Sequence, residues 1–281
     1  MLFRSRAARN RDALPMTDVG FDERAARYDD LRPVDDQWWE VFAALVRIGN
    51  LRGSRVLEVG CGTGRLAHGL EDRELARIWA VDASPAMVER AKALGVNARV
   101  ARGEALPFKA GWFDAVVARM AIHLLDRPRA FAEARRVLAP SGRIVIATED
   151  PVTFDDLWFG HYFPSLADID RQRFPSADAL RRELVAAGFA EPHIETLQQR
   201  RGLTRDHALE ILRTKAYSTF SLLPEDKFGG GGGGGGVSLE AATSFPRAVG
   251  AEGALCAIVG PPFKNSTRLE ICCCDSLQIN K

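Results

Sequence analysis

The chain has 281 residues, of which 46% are hydrophobic and 27% charged, and its formal net charge is +1. This length suits one α/β domain with a large core and a small appendage. The balanced charge argues against a nucleic-acid partner, and no apolar run approaches the ~20 residues that cross a bilayer, so we expect no membrane association. The five cysteines follow no zinc or disulfide spacing, so we expect no metal site and a reducing, cytoplasmic setting.

Residues 1–16 lack the apolar core of a secretory signal, and residues 1–11 carry four arginines and no acid. We expect a disordered, basic N-terminal tail, with a weak organellar presequence or an upstream start before Met16 as the alternatives. The following segment, Phe21–Leu31, places Phe21 and Tyr28 on one helical face. The next predicted helix carries an apolar stripe that includes Trp38 and Trp39, which we interpret as core residues.

The most informative stretch is Arg55–Ala67, which reads R-V-L-E-V-G-C-G-T-G-R-L-A. Its apolar run predicts a buried strand, and its end predicts the start of a helix. The glycines between them predict a tight turn that lets a ligand approach the backbone. A dinucleotide fingerprint would have a small residue where Arg65 stands. Glu58, at the end of the strand, would repel a pyrophosphate but suits a ligand with positive charge. S-adenosylmethionine is such a ligand.

Strands and helices then alternate as far as Thr148. Arg77–Asp82 predicts a second strand, and Asp82 lies 22 residues beyond Gly60, a spacing at which a carboxylate reaches ribose hydroxyls. Further strands are predicted over Asn97–Val100, Phe113–Ala118 and Arg143–Thr148. This alternation predicts an α/β fold with a doubly wound, mostly parallel sheet.

Four motifs carry a family resemblance over about residues 21–200. They are the glycine turn, F-D-x-x-A-x-x-Y-D-x-x-R-P before it, R-G-E-A-L-P-F after the third strand, and the L-x-P-x-G turn before the fifth. In this order they resemble the class I S-adenosylmethionine-dependent methyltransferases, in particular the ubiquinone/menaquinone-biosynthesis type. The resemblance implies a Rossmann-like fold, S-adenosylmethionine as cofactor and in-line methyl transfer to a small-molecule acceptor.

The resemblance also assigns residues. Tyr28 becomes a candidate lid residue, and Met87 lies near an adenine position, with ordinary core packing as the alternative for both. His123, which follows the fourth strand, is the candidate catalytic base, and His161 and Tyr162 are further candidates. The expected cofactor-binding residues are Tyr28, Glu58, Gly60, Cys61, Gly62, Gly64, Asp82, Ala83, Met87, Gly103, Glu104, Ala105 and Arg119.

The carboxyl end departs from this pattern. We expect a methyltransferase domain over 17–228 with a small cap from about 151–174 and 201–228, followed by a polyglycine run and an aberrant or disordered tail over 229–281. Only Ala254–Val259 resembles a last strand, so the sheet could lack a proper one. A shifted reading frame, an unstructured extension and a linker to an accessory module all explain the tail.

Two other functions compete with methyl transfer at this stage. A protein that binds the cofactor without turnover is compatible with the unusual carboxyl end. A nicotinamide-dependent oxidoreductase fits less well, because Arg65 and Glu58 conflict with a dinucleotide site.

Overall fold

The computed structural model describes residues 20–155, 157, 159, 163–223 and 248–260. Seven strands form one sheet in the order β3-β2-β1-β4-β5-β7-β6. In chain order they are β1 Arg55–Val59, β2 Arg77–Asp82, β3 Ala98–Val100, β4 Phe113–Arg119, β5 Leu138–Glu149, β6 His193–Thr204 and β7 Ala248–Gly260. The first five strands run parallel, and β7 lies antiparallel to both β5 and β6. The predicted doubly wound, mostly parallel sheet is confirmed.

Helices cover both faces of the sheet, as expected for parallel strands that are apolar on both sides. In chain order they are α1 Phe21–Arg24, α2 Asp36–Gly49, α3 Arg65–Glu74, α4 Pro85–Ala93, α5 Arg127–Val137, α6 Pro164–Arg173, α7 Ala177–Ala186 and α8 Arg205–Arg213. One core layer joins α2, α3 and α4 to the sheet, and a second joins α5 and α7 to its other face. Trp38, 6% exposed, lies in the first layer, and Trp39 packs against it.

The helix starts follow ordinary capping chemistry. Ser84 accepts a hydrogen bond from the N–H of Met87 at the start of α4, and Pro85 occupies the first helical position. After α4, Gly95 adopts a φ of 90°, which ends the helix. These local signals lie within a few residues of one another, which explains why the sequence predicts the core α/β unit closely.

A third apolar cluster forms the cap. It unites residues after β5 with α6, α8 and the turn at Ser218–Leu222. Met120, directly after β4, packs against both this cluster and the α2–α3–α4 layer. The cap therefore covers the carboxyl end of β4, where open α/β sheets bind their ligands.

The last strand corrects the expectation that the sheet could lack one. β7 spans Ala248–Gly260, twice the length of the predicted Ala254–Val259, and residues 248–260 therefore belong to the sheet and not to a tail. Leu255–Val259 in its second half pair with both β5 and β6, Gly260 pairs with β5 alone, and residues 248–254 pair with β6 alone. That first half is rich in glycine and alanine, so its strand structure depends on backbone pairing that no local pattern reveals. Residues 224–247, with the polyglycine run, and 261–281 lie outside the described residues.

Within the described part of the chain, no helix is both long and apolar enough to cross a membrane.

Candidate active site

The glycine turn begins at the carboxyl end of β1 and leads directly into α3. Gly60, Gly62 and Gly64 all adopt positive φ values, of 73°, 53° and 84°. A Cβ on Gly60 would lie 2.4 Å from that of Ala121, and one on Gly64 would lie 2.9 Å from that of Ala91. At Gly62 nothing lies within 4 Å of the corresponding position. The outer glycines therefore allow close packing, and the central one faces open space where a ligand can approach.

Glu58 lies under this turn and is 2% exposed. Burial raises its pKa to about 8, opposed by the positive charge of Arg119 and a hydrogen bond from the Ala67 N–H, while Asp82 adds to the rise. Its Oε2 atom has no hydrogen-bond partner among the described residues. A buried carboxyl with an unused oxygen is costly unless a ligand completes its surroundings.

Asp82 ends β2 and faces the same turn. Its two oxygens accept hydrogen bonds from the backbone N–H groups of Gly62, at 2.8 Å, and Ser84, at 2.9 Å. Burial raises the pKa of Asp82, and these two hydrogen bonds oppose the rise. Cys61, between them, is buried, and burial together with the charges of Glu58 and Asp82 raises the pKa of its thiol. The Cys61 thiol is therefore poorly ionised, and a contact of Cys61 with the cofactor stays a prediction.

The remaining predicted cofactor residues divide into buried and exposed ones. Met87 is 1% exposed and Gly103 is buried against Val59, whereas Ala83 and Ala105 are exposed. Glu104 accepts a hydrogen bond from the Asp126 N–H at 2.8 Å and lies 3.5 Å from Arg102. Its carboxylate therefore ties the loop after β3 to the loop after β4. A direct contact of Glu104 with adenine stays a prediction.

The segment Gly20–Arg32 closes over the turn and carries residues that the sequence analysis did not single out. Asp29 accepts a hydrogen bond from Thr63 Oγ1 at 2.8 Å and lies 3.3 Å from the Arg65 guanidinium. Asp22 accepts hydrogen bonds from the Ser84 hydroxyl and from the Ala86 N–H. The signal was present in the motif F-D-x-x-A-x-x-Y-D, whose two aspartates are these residues. Tyr28 lies between them, with the Arg32 guanidinium 3.9 Å from its ring centre.

His123 lies in the turn after β4. Its ring stacks on Phe174 at 3.9 Å between ring centres, and its Nδ1 atom is buried without a hydrogen-bond partner among the described residues. Burial and the positive charge of Arg173 hold its pKa well below the usual range. The imidazole therefore stays neutral at pH 7, and its low proton affinity makes it a weak base. His161 and Tyr162 lie outside the described residues.

Met120, between β4 and His123, is a second residue that sequence reasoning did not single out. It adopts a φ of 52°, an unusual conformation for a side chain of this size. Its N–H donates to the Ala147 carbonyl at 2.8 Å, which holds the start of the turn on β5. Strained residues of this kind concentrate at functional sites. No local signal in the sequence predicts this φ.

Comparison with known proteins decides the family. Residues 57–146 match the family described as a methyltransferase domain. The chain is 36% identical over 204 residues to the malonyl-[acyl-carrier protein] O-methyltransferase of Hahella chejuensis, an alignment that covers 69% of each chain. The chain belongs to the S-adenosylmethionine-dependent methyltransferases. It is also 30% identical over 202 residues to the ubiquinone/menaquinone biosynthesis C-methyltransferase of Geotalea daltonii, covering 60% of this chain and 86% of that one.

Solved structures of methyltransferases share the fold. A putative methyltransferase from an antibiotic biosynthesis pathway of Anabaena variabilis matches 78% of this chain and 96% of its own, with a TM-score of 0.59 and 20% identity. A phosphoethanolamine N-methyltransferase of Haemonchus contortus matches 89% of this chain and 61% of its own, with a TM-score of 0.56 and 16% identity.

The residues of this methyltransferase fit its cofactor, S-adenosylmethionine. The unused Glu58 Oε2 is suited to a positively charged group, and the open space at Gly62 provides room against the backbone. Asp82 stands beside that space. The site thus combines a buried acid, a glycine cradle and a second acid, as the sequence predicts for a nucleoside ligand with positive charge.

Proposed function

We propose that this methyltransferase acts on a small-molecule acceptor, free or carried on a protein, held between the carboxyl end of β4 and the cap. The observation that carries the proposal is the position of Met120, which packs against both the cap cluster and the α2–α3–α4 layer. His123 adds to it, because its ring stacks on Phe174 of the cap. The names of the relatives, which act on malonyl-[acyl-carrier protein] and in quinone biosynthesis, support small acceptors.

S-adenosylmethionine supplies, when bound, a methyl group on a positively charged sulfur that a nucleophile can displace directly. The protein's main task is then alignment, which is worth about 7–11 kcal/mol when the reacting atoms are well placed. Glu58, Asp82 and the glycine turn would hold the cofactor, and Asp22 and Asp29 would close the N-terminal segment over it. The cap excludes water from the acceptor side. His123 is better suited to orient the acceptor than to remove a proton from it, because its pKa is low.

The experiment is transfer of labelled methyl from S-adenosylmethionine to a panel: a malonyl thioester on an acyl-carrier protein, a reduced quinone and a metabolite extract. We expect label in a small molecule or in a carrier-bound acyl group, and loss of transfer in an Asp82→Ala variant that keeps its fold. Binding of S-adenosylmethionine without transfer to any arm would instead support a cofactor-binding protein without turnover. Label only in polypeptide or nucleic acid would overturn the small-molecule assignment.

A further inference from the structure

Two arginines donate to the turn that closes the cap, Ser218–Leu222, and a third donates to Ala216 just before it. Arg173, at the end of α6, donates to the side chains of Thr219 and Ser218 at 3.0 and 2.9 Å. From the N-terminal segment, Arg24 donates to Ser221, and Arg32 donates to the Ala216 carbonyl at 2.7 Å. The guanidinium groups of two separate segments thus meet at one place.

The positive charges of Arg32 and Arg173 both act on Arg24. Asp170 pairs with Arg173 at 2.9 Å, and the exposed Glu23 faces Arg24. Burial lowers the pKa of Arg24, and the neighbouring positive charges of Arg32 and Arg173 lower it further. Like charges held together in a partly buried place destabilise the fold, and an anionic ligand would remove that cost.

Two buried nitrogen atoms in the same region have no hydrogen-bond partner among the described residues. One is Nε of Arg173, whose side chain is fully buried, and the other is Nδ1 of His123. Arg173 lies close enough to His123 to lower its pKa. Buried polar atoms without partners are rare in folded proteins and are common where a ligand completes the site.

Aromatic rings line this region and connect it to the cofactor side. The Arg32 guanidinium lies 3.9 Å from the ring centre of Tyr28 and 6.0 Å from that of Tyr217. Tyr217 in turn contacts Phe159, with ring centres 5.8 Å apart. The residue after Tyr28 is Asp29, which binds the glycine turn through Thr63. An organic molecule with an apolar body and an anionic group would match both the rings and the guanidinium groups.

We infer that the acceptor of this methyltransferase carries an anionic group, such as a carboxylate, that is held by Arg24, Arg32, Arg173 and His123 and is not itself methylated. The inference rests on the proposed function and names the substrate class for the same site.

The charge change during methyl transfer explains why the anionic group itself is not methylated. When a carboxylate attacks a sulfonium, negative and positive charge disappear together: one oxygen forms the bond to the methyl carbon as the carbon–sulfur bond breaks, and its electrons remain on sulfur. Cations around that carboxylate stabilise the charged ground state more than the less charged transition state, which slows the reaction. A cluster of guanidinium groups is therefore suited to anchor an anion while another atom of the acceptor receives the methyl group.

The direct test compares benzoate with its neutral isostere benzamide by calorimetric titration into protein saturated with S-adenosylhomocysteine. We expect benzoate to bind about tenfold or more tightly than benzamide. The Arg24→Gln and Arg32→Gln variants should lose this preference, and Arg213→Gln, at an exposed position on α8, should keep it. Arg173 is left intact, because its removal would leave Asp170 buried without a charged partner. The inference would be overturned if the two probes bound equally or neither bound. It would also be overturned if Arg213→Gln lost the preference for benzoate as fully as Arg24→Gln and Arg32→Gln.

The second test examines the labelled product formed from a metabolite extract. We expect it to be retained on an anion exchanger at pH 7 and to keep its label in mild alkali. A neutral product, or label released as methanol as from a methyl ester, would overturn the inference while leaving the proposed methyl transfer intact. Failure of S-adenosylhomocysteine to bind would instead contradict the proposed function.

Discussion

At the scale of single residues, the cofactor side of the site is built from a short stretch of the chain. The glycines, Glu58 and Asp82 lie within 25 residues of one another, and their spacing alone describes a strand, a turn and a second strand. The surroundings of His123 were not predictable in the same way. They depend on Phe174 and Arg173, about 50 residues away, which turn a candidate base into a neutral, buried imidazole.

The glycine turn offers a matched pair of substitutions. Gly60→Ala would place a Cβ 2.4 Å from that of Ala121, so we expect a loss of about 1–3 kcal/mol of unfolding free energy. In Gly62→Ala the added Cβ meets nothing within 4 Å, so the unfolding free energy should fall only by the cost of the positive φ, about 1–2 kcal/mol. The affinity for S-adenosylhomocysteine should fall strongly, because the methyl group occupies the space where the cofactor approaches the backbone. Denaturant unfolding and calorimetry measure the two effects. Full affinity in Gly62→Ala would contradict the view that the open space is the cofactor cradle.

Glu58 gives a pH prediction for the protein without cofactor. Its pKa in the folded protein is about 8, above its ordinary value of 4.5, so the unfolded chain loses this proton first. Its contribution to stability is therefore complete below pH 4.5 and is lost as pH rises to about 8, with a slope of at most about 1.4 kcal/mol per pH unit. Glu58→Gln should remove this part of the pH dependence. Identical unfolding profiles of the two proteins between pH 5 and 8 would argue against a buried, protonated Glu58.

At the scale of elements, the N-terminal segment joins the two halves of the site. Asp22 and Asp29 bind the cofactor side, whereas Arg24 and Arg32 bind Ser221 and the Ala216 carbonyl in the cap. The motif around Tyr28 predicted a lid over the cofactor. The contacts with the cap were not predictable, because they join residues about 190 positions apart in sequence.

The lid role of this segment can be tested with two neighbouring aspartates. Asp29→Ala removes the acceptor of the Thr63 hydrogen bond and the partner of Arg65, so we expect a higher KM for S-adenosylmethionine and faster hydrogen exchange over residues 20–32. The melting temperature should change little, since the segment contributes few residues to the core layers. Asp30→Ala, at an exposed position, is the control and should match the wild type. Equal effects of the two substitutions would refute a specific role for Asp29.

At the scale of the whole molecule, the sheet is complete only because β7 lies between β5 and β6. The sequence offered only Ala254–Val259 as a candidate for this strand, which is close to the part that pairs on both sides, and it gave no signal for the part that pairs only with β6. Strand pairing over long sequence separation supplies the stability that glycine- and alanine-rich residues lack on their own.

This position of β7 predicts a sharp boundary for truncation. A chain that ends at Gly260 keeps every strand of the part that the structure describes, so we expect it to retain the wild-type melting temperature and S-adenosylhomocysteine binding. A chain that ends at residue 247 loses β7, which separates β6 from the sheet and exposes the edge of β5, so we expect aggregation. Size-exclusion chromatography and thermal unfolding distinguish the two. A folded, monodisperse chain ending at 247 would show that β7 is dispensable.

The central claim is that a buried acid under the glycine turn binds a nucleoside with positive charge, and calorimetric titration of S-adenosylmethionine at pH 6 and pH 8 tests it most directly. Because the positive ligand favours ionised Glu58, binding should release a proton, and affinity should rise by about tenfold or more across this range in the wild type but not in Glu58→Gln. NAD should not bind at either pH. The account would be contradicted if S-adenosylmethionine did not bind, or if NAD bound with an affinity as high as that of S-adenosylmethionine.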